Sequence, residues 1–353
     1  MKDFTRQRIL LFAAAGALGI LFHALSIPIP YMLGGIVAAF VAKTFIDPKT
    51  KWPSLWRNMM MSVAGYEIGR NCSAETVIDI AEEVVGVFLA TGVTVIVSIL
   101  AAFWTFRHSA ANLISCVMGC SPGGMSLMTL MAEEDSRVDM NVVVVAQTLR
   151  LFCVVVSVPF LAMQMLDETS AAVALEKPDE WHWLALIPIC FVGRFIGKKF
   201  HLPTKQLLGP ILAAALFATL IHPLGKAPHE LMSIAQLNIG LYIGTKLEKD
   251  RLLALRPMIP NLLLGNAAMI TSSVGMAIFL SQTYGFSLIT AFLAMAPGGI
   301  TAMCIAGLAM GANVPLILAY QLFRLLTINF ASPFVINWYF KKSEEETDGK
   351  SER

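Results

Sequence analysis

The sequence predicts an all-α polytopic membrane protein of two inverted repeats, each with five transmembrane helices plus a broken, re-entrant helical hairpin tipped by Pro-Gly-Gly. Three observations predict it. The chain of 353 residues is 56% hydrophobic and only 14% charged, and its mean hydropathy is +0.68. Its second half repeats the first at an offset of 175 residues. Lysine and arginine segregate from the acids along the path these spans would trace.

A helix that crosses the hydrocarbon core needs about 20 residues. Apolar segments lie at 8–25, 31–46, 57–70, 84–106 and 140–165, and again at 183–199, 206–221, 231–245, 258–281 and 314–340. The basic start and apolar continuation of residues 1–28 also fit a signal peptide. An uncleaved first span is preferred, because the segment has a counterpart inside the chain.

The repeat shows in a series of anchors. SIPIPYMLGGIVAA (26–39) faces HLPTKQLLGPILAA (201–214), GYEIG (65–69) faces GLYIG (240–244), and Pro122-Gly123-Gly124 faces Pro297-Gly298-Gly299, all at offset 175. Met128 faces Met303 at the same offset; QTLR (147–150) then faces QLFR (321–324) at offset 174. The chain therefore divides into repeat one (1–170), an acidic linker (171–181), repeat two (182–340) and a charged tail (341–353).

Two broken segments, 109–132 and 286–310, carry the Pro-Gly-Gly motifs. With about 11 residues on each side, each arm reaches about 16 Å, half the hydrocarbon core. Such a segment either crosses as a discontinuous helix or enters and returns. Charge decides for return. With a cytoplasmic N-terminus and five spans per repeat, the inside loops hold Lys43, Lys49, Lys51, Arg107, Arg137, Arg194, Lys198, Lys199, Lys246, Lys249 and Arg251, and the tail holds Lys341 and Lys342. The outside loops hold Glu75, Asp79, Glu82, Glu83, Asp167, Glu168, Glu176, Asp179 and Glu180. An odd number of spans inverts the second repeat, an arrangement found in secondary transporters. One tip then enters from each side.

Irregular backbone at membrane depth persists only where protein buries it or a wet cavity solvates it. Pro122 and Pro297 lack an N–H and break the helix; Gly123, Gly124, Gly298 and Gly299 allow a tight turn and close backbone approach. The second arms, from about Met125 and Ile300, aim helix N-termini at the bilayer centre, where they favour anions. Ser121 and Thr301 flank the tips. Arg150 and Arg324 each lie 11 residues beyond a helix start, at Asp139 and Asn313, which places both near the midplane. Gln147 and Gln321 share their faces. A mid-membrane arginine faces protein or water and marks a functional site. Glu67 is the expected intramembrane carboxylate partner for Arg150 or Arg324, and the Tyr66 and Tyr242 hydroxyls are expected nearby, with Asn238 a weaker candidate.

Cys72, Cys116, Cys120, Cys153, Cys190 and Cys304 read as packing residues, with no disulfide framework. The two thiols one turn apart, Cys116 and Cys120, lack the His or carboxylate a metal site wants, and neither a metal nor a cofactor is expected. The six histidines scatter near span ends, and no HExxH, P-loop or dinucleotide fingerprint occurs, so an enzyme is not expected. No basic stripe with interleaved aromatics points to nucleic acid.

The paired Pro-Gly-Gly segments, each followed by Asp139 or Asn313 and then Gln-x-x-Arg, resemble the membrane AbrB family over essentially the whole chain except the tail KKSEEETDGKSER. The resemblance implies a bacterial inner-membrane protein with an internal duplication. The family's usual Gly-Ala-Asp before the last helix of each repeat reads Arg137-Val138-Asp139 in the first copy and Gly311-Ala312-Asn313 in the second. The second copy lacks the acid, which counts against a symmetric two-carboxylate cation site. Members are described as regulators of gene expression, and some as ammonia monooxygenases; the latter label finds no copper-type histidine cluster here. The family shares its name with small soluble DNA-binding proteins, which this chain does not resemble. The architecture is similar to that of cation/proton antiporters and bile-acid-type symporters, an analogy of fold alone.

The expectation is a transporter of a small, anionic organic solute in the inner membrane, with both termini cytoplasmic. The solute would sit among Ser121, Pro122, Gly123, Gly124, Gln147, Arg150, Pro297, Gly298, Gly299, Thr301, Gln321 and Arg324. Glu67, Asp139 and Asn313 are candidates for an H⁺ or Na⁺ coupling site or for charge pairing. A homodimer in the lipid bilayer fits this reading. The alternative is a ligand-sensing membrane protein that regulates gene expression.

Overall fold

A computed structural model describes residues 2–72, 83–165 and 182–331. The linker, the tail and most of the acidic 73–83 segment lie outside the described residues. Every regular element among those described is helical. Repeat one contributes α1 (Lys2–Ala24), α2 (Pro30–Val41, extended by a π-turn over Ala42–Ile46), α3 (Ser54–Gly69), α4 (Val84–Arg107), α5 (Leu113–Cys120), α6 (Met125–Glu134) and α7 (Met140–Met163). Repeat two contributes α8 (Leu186–Lys199), α9 (Lys205–Leu220), α10 (His229–Gly244), α11 (Lys249–Ala254), α12 (Ile259–Tyr284), α13 (Leu288–Met295) and α14 (Ile300–Ala309), and closes with α15 (Val314–Ala331).

Among the described residues five helices are long and apolar enough to cross a membrane: Gln7–Ala24, Val84–Arg107, Met140–Met163, Arg256–Tyr284 and Val314–Ala331. At about 1.5 Å per residue the 24 residues of α4 reach about 36 Å, beyond a hydrocarbon core of about 30 Å. The other five expected spans, α2, α3, α8, α9 and α10, are shorter, from 12 to 16 residues. Large apolar side chains point outward from α4 (Val85, Phe88, Ile96, Leu100), α8 (Ile187, Phe191, Phe195) and α1 (Ile9, Leu10, Ile20). That is the surface a lipid-facing helix presents, where no water penalises exposed apolar area.

The helices form two bundles. The first holds α1–α3 and α8–α10, and the repeats exchange partners in it: α2 packs on α10, and α3 packs on α9. Glycine permits the close crossing. A Cβ on Gly240 would stand 2.1 Å from the Met32 carbonyl oxygen, and one on Gly65 would stand 2.6 Å from that of Leu207. Met32 and Leu207 are 175 residues apart, as are Gly65 and Gly240. The same equivalence marks the backbone. Among the described residues the four non-glycine residues with positive φ are Ser26, Ile29, His201 and Thr204, two pairs at the repeat offset. Left-handed geometry at a β-branched residue is costly, so its recurrence reflects an inherited turn before α2 and α9.

The second bundle holds α4–α7 and α12–α15. Here α4 packs on α12, α5 lies against α4 and α7, and α13 lies against α12 and α7. One continuous apolar core joins the bundles, running from Met32, Ile36, Ile68, Leu207 and Ile211 to Phe292, Met303, Ile305, Val154 and Val158. The broken segments α5–α6 and α13–α14 sit in this second bundle.

Candidate functional site

Each broken segment folds back on itself. Asn112 caps α5 by accepting the Ser115 N–H at 2.8 Å and donates from Nδ2 to the Arg137 carbonyl at 2.6 Å. The Asp139 N–H donates to Ser115 Oγ at 2.8 Å. The residues just after α6 therefore return to the start of α5. Repeat two does the same: Ser287 caps α13 through the Thr290 N–H at 3.4 Å, and the Asn313 N–H donates to Thr290 Oγ1 at 3.0 Å.

At the far end of each pair the helix breaks, and a glutamine and an arginine meet each break. A helix ends with carbonyls that have no intrahelical donor and carries the negative end of its dipole there. Gln147 Nε2 donates to the Met118 carbonyl at 2.7 Å and the Ser121 carbonyl at 2.9 Å. Arg150 donates from Nη1 to the Ser121 carbonyl and from Nη2 to Gln147 Oε1, the latter at 2.8 Å. In repeat two Gln321 Nε2 donates to the Leu293 and Ala296 carbonyls, both at 2.9 Å. Arg324 reaches the Met295 carbonyl at 2.9 Å, the Ala296 carbonyl at 3.0 Å, the Gly298 carbonyl at 3.5 Å, and Gln321 Oε1. The i, i+3 spacing puts glutamine and arginine on one face, and the amide oxygen holds the guanidinium in place. Both arginines are buried, at 7% and 4% exposure.

Beyond each break the N-termini of α6 and α14 begin at Gly124 and Gly299, with no side-chain cap on either. The Gly124 N–H donates to Asn329 Oδ1 at 3.2 Å. The tips also exchange repeats: Gly124 faces Leu325 of α15, and Gly299 faces Leu151 of α7. The glycines are needed for space rather than for a left-handed turn. Gly124 and Gly299 have φ of -68° and -80°. A Cβ on Gly123 or Gly298 would stand within 2.8 Å of the methionine five residues on, Met128 or Met303. Among the described residues neither guanidinium has a carboxylate partner.

Of the residues expected in the site, Ser121, Pro122, Gly123, Gly124, Gln147, Arg150, Pro297, Gly298, Gly299, Gln321 and Arg324 gather at the two breaks, Ser121 through its carbonyl; Thr301 is half-buried in the first turn of α14. Others stand elsewhere. Glu67 does not pair with Arg150 or Arg324. It lies in the first bundle, where Arg70 Nε meets Oε1 at 2.7 Å and the Ala227 N–H donates to Oε2 at 2.9 Å; Arg70 is one turn away on the same helix face and wins over any distant cation. The Tyr66 hydroxyl donates to the Gly225 carbonyl at 2.8 Å. Tyr242 lies under Arg57 and Lys246, and Asn238 Oδ1 accepts from Trp52 Nε1 at 3.2 Å. Asp139 and Asn313 are exposed caps of α7 and α15, accepting the Asn141 N–H at 2.9 Å and the Leu316 N–H at 3.2 Å. A cap needs only a side-chain oxygen, which is why Asn serves where the other repeat has Asp. Asn329 was invisible to the repeat, because its counterpart is Val155. No cluster of three His, Cys, Asp or Glu occurs among the described residues.

A family model described as transition state regulatory protein AbrB matches residues 8–340. The chain is 27% identical over 327 residues to an Escherichia coli K12 protein named "Putative regulator AbrB", covering 90% of this chain and 92% of that protein. It is 27% identical over 366 aligned positions to "Uncharacterized protein YhjN" of Bacillus subtilis 168, covering 94% of each.

Proposed function

The chain belongs to the AbrB family, and on that premise we propose that it is an inner-membrane secondary transporter of a small anionic organic solute, working by alternating access. One observation carries the reading. Two buried guanidiniums stand at the breaks of two helices, bonded among the described residues only to neutral acceptors. Two positive charges in a low-dielectric interior without a counter-ion are costly, and two helix N-termini add to the positive potential. An anionic solute between the tips supplies the missing charge. The solute is carried and not chemically changed.

The inverted, re-entrant topology belongs to the same proposal. Its support is that polar contacts between the repeats' loops, among the described residues, join segments it assigns to one side. Lys43 meets Glu248 at 3.3 Å, Arg251 meets Asn141 at 3.5 Å, and Asn261 meets the His108 carbonyl at 3.2 Å, all toward the basic loops. Tyr66 to Gly225 and Glu67 to Ala227 lie at the opposite end. Cytoplasmic termini, coupling to H⁺ or Na⁺ and a homodimer complete the proposal. A second reading, a ligand-binding membrane regulator, draws on the name of the Escherichia coli relative and would use the same site.

The test is thermal stabilisation of the purified protein by a panel of small carboxylates and amines, with and without Na⁺, on wild type, Arg150→Gln and Arg324→Gln. The expected result is stabilisation by an anion, lost in the arginine variants, followed by uptake of that anion into proteoliposomes. An absent anion response, with the variants merely less stable, would make the arginines helix clamps alone. Anion binding without uptake would favour the sensor.

A further inference from the structure

Two cations share one aromatic ring at the end of the first bundle that gathers the basic loops. Arg57 sits in the first turn of α3, and its guanidinium carbon stands 4.2 Å from the centre of the Tyr242 ring, in the last turn of α10. Lys246 follows α10 by two residues, and its Nζ stands 5.0 Å from the same centre. The two charges are therefore within about 9 Å of each other, close to one Debye length at physiological salt. Arg57 donates from Nε at 3.0 Å and from Nη2 at 2.6 Å to Asn58 Oδ1, a neutral acceptor. Neither cation has a carboxylate partner among the described residues. Glu248, the acid that follows α10, is already taken: Lys43 meets it at 3.3 Å and Arg251 at 2.6 Å.

α3 and α10 pack together and are each other's counterparts in the repeat, so their pairing has a second end to compare. At the offset of 175, Met232 stands for Arg57, Glu67 for Tyr242 and Asn71 for Lys246. The cation at that end, Arg70, has a carboxylate, Glu67 Oε1, at 2.7 Å. The helix pair therefore packs without two cations on a ring, and where it keeps a cation it supplies an anion. The surroundings of Tyr242 indicate which anion is meant. Leu55, Trp56 and Met59 of α3, and Phe45 and Ile46 of the π-turn, are large, apolar and exposed. Lys249 Nζ stands 5.7 Å over the Phe45 ring. Exposed tryptophan and hydrocarbon beside lysine and arginine at helix ends match the headgroup layer of a bilayer. A small soluble anion would use the cations and gain nothing from the hydrocarbon.

We propose that Arg57 and Lys246, held about Tyr242, bind the phosphate of an anionic phospholipid. The phosphodiester accepts from the guanidinium and the ammonium in charge-assisted bonds, and the acyl chains lie against Leu55, Trp56 and Met59. Asn58 fixes the guanidinium by its two bonds. A zwitterionic lipid brings the same phosphate with a cation beside it, which these two side chains repel. Headgroups stand at both faces of a bilayer. The site therefore needs the chain to be embedded in a membrane, and it depends neither on the direction of insertion nor on the transport reading.

The test is lipid titration of the full-length protein in neutral detergent, read by native mass spectrometry, with phosphatidylglycerol against phosphatidylcholine. Phosphatidylglycerol is expected to bind about tenfold tighter. Arg57→Gln and Lys246→Gln are each expected to weaken it about fivefold, the worth of one basic residue near an anionic surface. Lys246 is exposed and lies outside the helices, so its variant tests the site independently of any effect of Arg57→Gln on folding. Lys199→Gln, which removes an exposed cation from the end of α8, is expected to bind as wild type does. Inorganic phosphate is expected to compete only weakly. Phosphate that displaces the lipid at equal concentration would make this a site for a soluble anion and overturn the lipid assignment. Equal affinity for the two lipids, unchanged binding in Lys246→Gln, or equal weakening by Lys199→Gln would overturn the site itself.

Discussion

The two broken hairpins share their hydrogen-bond pattern but not their burial. In α13–α14 the residues Ile289 to Met295 are buried without interruption, and Ala302 to Gly307 follow. They pack into the core that also contains Met32, Ile36 and Ile68 of the first bundle. In α5–α6 the second arm, among its described side chains, buries only Met128 and Ala132 fully, and Leu130 is 49% exposed. The arginines follow suit. Arg324 makes four hydrogen bonds, whereas Arg150 makes two and keeps a buried Nε without a partner among the described residues. One hairpin is a fixed part of the core. The other is held mainly at its ends and has a donor to spare, which suits the moving, solute-contacting half in the transport proposed above.

Removing the arginines tests this difference most directly. At about 1 kcal/mol net per hydrogen bond, Arg324→Leu should cost about 4 kcal/mol and Arg150→Leu about 2, read as melting of the purified protein. Equal losses would make the two hairpins equivalent. Hydrogen exchange sharpens the comparison. Amides of residues 125–134 should exchange about tenfold faster than those of 300–309, because low burial marks the elements that open first; matched rates would remove α6 as the moving part. The smallest effect concerns the loop after α6. The Arg137 side chain bonds Asp135 at 3.0 Å and, with its own backbone N–H and its charge, holds that carboxyl below its usual 3.8, against a small burial effect. The folded value is depressed, so this contribution is present above pH 3.8 and is lost as pH falls through the folded value. The pair is exposed, so the effect is slight. Arg137→Gln should flatten the acid limb of the melting curve of wild type by a small margin; repeat two, with Ala309 and Gly311 at these positions, has no such pair to lose.

Much of the site was legible because duplication writes it twice. Pro-Gly-Gly and Gln-x-x-Arg each recur at nearly one offset, and helix rise alone brings them to one depth. What the arginines bind there was not legible. Glu67 stands out as a carboxylate partner because side-chain charges are visible in a sequence and the orphaned carbonyls of a broken helix are not. The Asp139 and Asn313 caps were misleading for the opposite reason: an acid at a helix start looks like chemistry until its oxygen is seen accepting backbone N–H groups. Asn329 lies where the repeat has no polar counterpart, so a reading guided by symmetry passed over it.

By itself, then, the sequence determined the helical class, the internal repeat and the points where helices must break. These follow from local composition and from the cost of unsatisfied backbone in lipid. Tertiary structure alone decided that α2 and α3 trade partners with α10 and α9, that helix carbonyls answer the buried arginines, and that one hairpin is buried more deeply than the other. Each depends on which surfaces meet across more than a hundred residues of chain, and packing at that distance is set by the whole set of side chains at once.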